Sequence, residues 1–175
     1  MKFNPFTYYD LTDQAVTKWM ARNGILLLRT SIGLIFIWFG ALKFIPGASP
    51  AEGLAGPTIE ILSFGLVSAQ VGLPILAAWE CLIGIGMFFF RFMRVTILLL
   101  YVQMLGTFSP VFLMPDVVFA SVPLLLTIEG QYIVKNVVVI ASALVIGATV
   151  RGGQLQAEAE QATVEQVQSP GKGRQ

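Results

Sequence analysis

Four long apolar stretches, separated by polar or breaker-rich segments, set the plan of this chain. They run over about 25–44, 73–90, 95–113 and 132–150. Roughly 20 apolar residues in a helix cross the ~30 Å hydrocarbon core of a bilayer. The pattern therefore predicts an all-α polytopic membrane protein, a bundle of four transmembrane helices. Between spans 1 and 2, Ile45-Pro-Gly-Ala-Ser-Pro-Ala-Glu52-Gly-Leu-Ala-Gly-Pro57 is dense in breakers. Residues 58–70 then suit an amphipathic helix that lies at the surface or re-enters, with Pro57 in its first turn. Arg91-Phe-Met-Arg94 forms a tight basic turn before span 3, which contains Gln103. The apolar piece 117–128 is too short to span and holds Pro123, so it reads as re-entrant or interfacial. Glu129-Gly130-Gln131 interrupts the pattern before span 4.

The flanks are different in kind. Residues 1–24 mix Lys2, Asp10, Asp13, Lys18 and Arg22 with Phe6, Tyr8, Tyr9 and Trp19, which suits a cytoplasmic or interfacial leader rather than a span. No small-residue cleavage site follows a short apolar core, so span 1 is expected to be retained. The tail 152–175 is polar, rich in Gln and Gly, and is expected to be disordered in the cytoplasm.

Composition agrees and narrows the chemistry. Of 175 residues, 55% are hydrophobic and 12% charged, against ~25% charged in a soluble domain. A net charge of +1 argues against a nucleic-acid partner. Histidine is absent, which removes haem ligation by His, the usual zinc and copper sites, and Ser-His or Cys-His catalysis. Cys81 is the single cysteine, so there is no internal disulfide and no C-x-x-C pair. Most Lys and Arg residues, including Lys18, Arg22, Arg91, Arg94 and Arg151, fall on one side of a four-span plan. By the positive-inside rule both termini face the cytoplasm, and the loops 45–72 and 114–131 face outward.

A few ionisable residues interrupt the apolar stretches, and a charge in hydrocarbon needs a partner, a wet cavity or a task. Arg29 lies in the cytoplasmic half of span 1 and Glu80 near the middle of span 2, while Lys43 and Lys135 fall near the outer surface. One reading is an outward-opening polar pocket framed by Lys43, Glu80, Glu129 and Lys135, suited to an anionic or quinone-like ligand. The bland reading has both lysines snorkelling at the interface and Arg29 pairing with Glu80 to set helix register, or snorkelling itself. Tyr132 suits an aromatic belt, though its hydroxyl is placed to reach a quinone carbonyl. Gly33, Gly40, Gly84 and Gly86 read as small residues for close helix approach. Trp38 and Trp79 read as packing or belt residues, and Cys81 as an inert apolar thiol.

These residues resemble the DoxX-like membrane proteins, in particular the YkgB-like branch. The matching pieces are Leu28-Arg29 followed by Gly33, then Phe39-Gly40-Ala-Leu-Lys43-Phe44, Glu80 in span 2, and Ile128-Glu-Gly-Gln-Tyr132-Ile-Val-Lys135-Asn136. The likeness covers about 22–151. Gln131 stands where the family usually has Arg, and Asn136 where it has Asp. The resemblance implies a bacterial inner-membrane protein of four helices. It also implies a small membrane subunit or anchor of a quinone-linked oxidoreductase, as in oxidation of sulfur compounds, or a part in oxidative or chlorine stress responses. The chain carries no cofactor motif of its own, so any redox chemistry would use a quinone or a partner's cofactor. Alternatives are a structural protein that binds partners without a ligand site, and a small-solute or ion pathway, which four spans would require to work as a homo-oligomer.

Overall fold

The computed structural model describes residues 5–150 and Gly153, with side chains from Thr12 onward. Residues 154–175, and Arg151 with Gly152, lie outside the described part, so the expected polar tail does too. The elements are α1 (Pro5–Leu42), α2 (Glu52–Leu62), α3 (Ala69–Phe88), α4 (Met93–Phe108), α5 (Pro110–Leu113), α6 (Pro115–Val118), β1 (Phe119–Ser121), β2 (Leu125–Leu126) and α7 (Ile128–Ala148). The fold is all-α, with four helical segments long and apolar enough to cross a membrane: Thr12–Leu42, Ala69–Phe88, Phe90–Leu113 and Ile128–Ala148.

The four long helices form a ring in which each touches two others: α1 packs on α3 and α7, and α4 packs on α3 and α7. Ile32, Phe36, Ile83, Met87, Met93, Ile97, Leu100, Met104, Ala143 and Ile146 meet along the axis. Large apolar side chains such as Leu34, Trp38, Leu98, Leu105, Val138 and Leu144 point outward and remain exposed. With apolar residues both inside and outside, lipid rather than water suits the outer surface. Because lipid supplies no hydrophobic drive between helices, close packing must hold them. The α1–α3 seam shows this. A Cβ added at Gly84 would stand 2.7 Å from the Gly33 carbonyl oxygen and 2.8 Å from the Ile37 nitrogen. One added at Gly40 would stand 3.0 Å from the Glu80 Cβ and 3.1 Å from the Ala77 carbonyl oxygen. No larger residue fits at Gly84 without parting the backbones.

Several boundaries differ from the sequence expectation. The leader and span 1 are one continuous helix from Pro5, because nothing between Pro5 and Leu42 breaks the backbone pattern; polarity ended the predicted span, not the helix. The helix before span 2 starts at Glu52 rather than 58, so Pro57 lies inside it rather than in its first turn. It stops where Phe64 and Gly65 take positive φ (55° and 78°). Glu60 then accepts a hydrogen bond from the Ala69 N–H (2.9 Å), satisfying one of the free donors at the start of α3. The piece 117–128 takes the form of the end of α6, a small antiparallel hairpin of β1 on β2, and the first residue of α7.

Glu129-Gly130-Gln131 does not interrupt span 4; it is the first turn of α7. Thr127 caps that turn, its hydroxyl accepting from the Gly130 N–H (3.1 Å) and donating to the Val117 carbonyl (2.7 Å). Gly130 is needed there because a Cβ would collide with the Val118 carbonyl. Both long loops lie at the same end of the bundle, where α2 contacts α5 and Thr58 meets Met114.

Candidate functional site

Lys43 follows the last residue of α1, and Glu80 lies mid-way along α3. Lys43 Nζ donates to Glu80 Oε2 at 2.6 Å, with both side chains withdrawn from solvent (6% and 12% exposed). The same ammonium donates to the Phe39 carbonyl at 3.3 Å, at the negative end of the α1 dipole. The other carboxylate oxygen, Oε1, accepts from the Gln103 side-chain amide of α4 at 3.1 Å. Three helices are thus joined through one carboxylate. Among the described residues, Lys43–Glu80 is the one ion pair, and every buried side-chain nitrogen or oxygen has a partner.

Lys43 is buried and paired, unlike the snorkelling side chain of the bland reading. Gly40 faces Ala77, Glu80 and Cys81, so Ala69–Leu76 of α3 runs on roughly 12 Å beyond that level. α1 ends short, α2 packs beside the remaining part of α3, and Lys43 bends inward rather than snorkelling outward.

Arg29 does not pair with Glu80. Its Nε donates to the Met87 carbonyl (3.0 Å) and its Nη2 to the Phe88 carbonyl (3.3 Å), at the end of α3. The guanidinium also lies 5.2 Å from the Phe90 ring centroid. The last carbonyls of a helix have no internal partner and carry partial negative charge, so a buried cation there is compensated without a carboxylate. Arg29 is a cap on α3, about seven residues along the helix from Glu80.

Lys135 and Tyr132 are not brought into the cluster. Both are exposed on α7, the ammonium 5.2 Å from the Tyr132 ring centroid. Glu129 is exposed as well. The reason is phase: Ile133 and Gly130 take the inward face at the start of α7, which turns Tyr132 and Lys135 away from the bundle axis. The four-residue frame proposed from sequence therefore reduces to Lys43 and Glu80.

Gln103 replaces the missing members. The sequence marks it only as a polar residue in span 3. Its signal was an amide inside an apolar run, where a polar side chain must find a partner across the helix interface. Beside it lies a groove of about 340 Å³ between α2, α3 and α4, walled by Ile59, Val67, Ile75, Leu76, Trp79 and Val102, with Gln103 as its polar point. The Trp79 indole N–H is committed to the Leu99 carbonyl (3.3 Å), which holds the ring in this wall. Gln103 gives one N–H to Glu80; a primary amide has a second N–H and a carbonyl to offer the groove. Cys81 lies on the other side, its thiol 3.8 Å from the Ile37 carbonyl against α1.

In comparisons with known proteins, no family model, no curated protein and no solved structure matches this chain.

Proposed function

We propose that the chain is a small DoxX-like subunit of the bacterial cytoplasmic membrane that holds a quinone in the groove beside Gln103. In this reading it anchors or serves a quinone-linked oxidoreductase or stress-response system, and the partner supplies the redox cofactor. In this reading both termini face the cytoplasm, supported by Lys18, Arg22, Arg91 and Arg94 at one end against Lys43 and Lys135 at the other. One observation carries the proposal: a largely withdrawn Lys43–Glu80–Gln103 chain comes to an apolar groove at a hydrogen-bonding amide.

The donor set fits a quinone. The walls suit its apolar ring and tail, and the free Gln103 N–H suits a carbonyl oxygen. A bound quinone would supply two-electron redox capacity. The residues themselves supply the rest: Trp79 and Val102 position an apolar body, Gln103 orients a carbonyl, and Lys43 with Glu80 fixes the Gln103 amide.

A second reading is purely structural, in which the cluster sets helix register and the outer surface meets a partner or a second copy of the chain. It is favoured by the internal satisfaction of every buried polar side chain among the described residues. Purification in mild detergent, followed by quinone extraction and thermal unfolding, separates the two. The quinone reading expects retained quinone in the native chain and a several-fold drop in Gln103→Leu, alongside a stability loss of about 1 kcal/mol. Unchanged quinone content with a lowered melting temperature would leave the structural reading standing instead.

A further inference from the structure

The opposite end of the bundle holds a second recess, of about 390 Å³, which the quinone reading does not use. Phe90, Arg91, Phe92, Arg94, Val95 and Val150 line it. Arg91 and Arg94 are exposed, three residues apart, and among the described residues neither has an ion pair or a side-chain hydrogen bond. Part of the wall is held from within. Arg29 lies against the Phe90 ring and ties it to the end of α3, and Met93 beneath is fully buried.

The surroundings are aromatic, and Asp13 is the one described acidic side chain at this end of the bundle. Phe88, Phe89, Phe90 and Phe92 are each 45–61% exposed. They stand where two helical segments long and apolar enough to span a membrane turn back, at the end of the apolar stretches. Lys18, Arg22, Arg29, Arg91 and Arg94 share this end. Asp13, on α1, lies about 24 Å along the helix from Arg29. No carboxylate among the described residues lines the recess to neutralise the two guanidiniums.

We infer that this recess is a headgroup site for an anionic phospholipid. Arg91 and Arg94 hold the phosphate through charge-assisted hydrogen bonds, and the phenylalanines and Val95 flank the upper acyl chains. The lipid, rather than a soluble phosphate, is indicated because the cationic pair opens onto apolar and aromatic walls at membrane-boundary depth. The site is independent of the quinone reading.

Native mass spectrometry of the full chain in mild detergent tests it, with phosphatidylglycerol and phosphatidylcholine of matched acyl chains as probes. The native chain is expected to retain phosphatidylglycerol about thirtyfold more tightly, as two basic contacts would give. The Arg91→Gln/Arg94→Gln double variant is expected to bring the two lipids to near parity. Lys18→Gln/Arg22→Gln removes the same charge from the same end, away from the recess, and is expected to keep the preference. Millimolar inorganic phosphate is expected not to displace the lipid. Equal retention of both lipids by the native chain overturns the site, and that comparison needs no variant. An equal loss in the Lys18/Arg22 variant reduces it to diffuse charge, and displacement by phosphate assigns it to a soluble anion; either result overturns the inference.

Discussion

Arg29 and Lys43 stand fourteen residues apart at the two ends of one buried seam, each less than a tenth exposed, and they are compensated differently. Arg29 rests on backbone: two carbonyls at the end of α3 and an aromatic face. Lys43 rests on a carboxylate, which is itself shared with Gln103. Backbone carbonyls cannot be titrated or mutated away, so the Arg29 end is a fixed joint. The Lys43 end depends on two ionisable side chains that compensate each other's charge, and it lies beside a groove. A planar guanidinium suits the diverging carbonyls of a helix end, whereas a compact ammonium suits a single carboxylate oxygen. The difference separates a charge compensated by main chain from one compensated by side chains.

The largest effect is expected at Lys43. Lys43→Ala leaves Glu80 buried without its counter-charge, a loss of about 3–5 kcal/mol. Adding Glu80→Leu should restore most of it, because an apolar pair can replace a buried ion pair at little cost. Reversible unfolding in mixed detergent measures both; a double variant no better than Lys43→Ala would show that the pair is not the coupled unit described.

Arg29→Met should cost somewhat less, about 3 kcal/mol for two charge-assisted bonds to carbonyls left bare. Here no second substitution should rescue it, since the partners are main chain. A rescuing side-chain change at Glu80 would break the contrast between the two ends.

Gln103→Leu is expected to cost about 1 kcal/mol, one neutral-to-charged hydrogen bond partly offset by new apolar packing. The same unfolding measurement reads it; a loss as large as that of Lys43→Ala would make Gln103 an equal member of the core cluster. Lys135→Gln is the smallest change. An exposed cation–π contact contributes about 0.5–1 kcal/mol at most, and the melting temperature should barely move. A large loss there would mean that Lys135 engages the bundle after all.

Hydropathy made the four spans legible, because lipid leaves an uninterrupted helix as the only economical way for a single segment to satisfy its backbone. It misjudged where helices stop. Polarity at Lys18 and Arg22 does not break a helix, so α1 runs from Pro5, and Gly130 is an N-terminal turn residue held by Thr127 rather than a breaker. The hairpin of β1 and β2 was hidden because its apolar residues show no usable alternation over so short a run.

At the candidate site, the sequence by itself determined that charges lie inside hydrocarbon and must be compensated, since residue type and membrane depth follow from position along an apolar stretch. It also singled out Lys43 and Glu80. Which charges meet was decided by the tertiary structure alone. The early end of α1, the rotation of α7 and the close seam at Gly33, Gly40 and Gly84 set how far each side chain reaches and which way it faces. Those are relations between helices, and no single apolar stretch contains them.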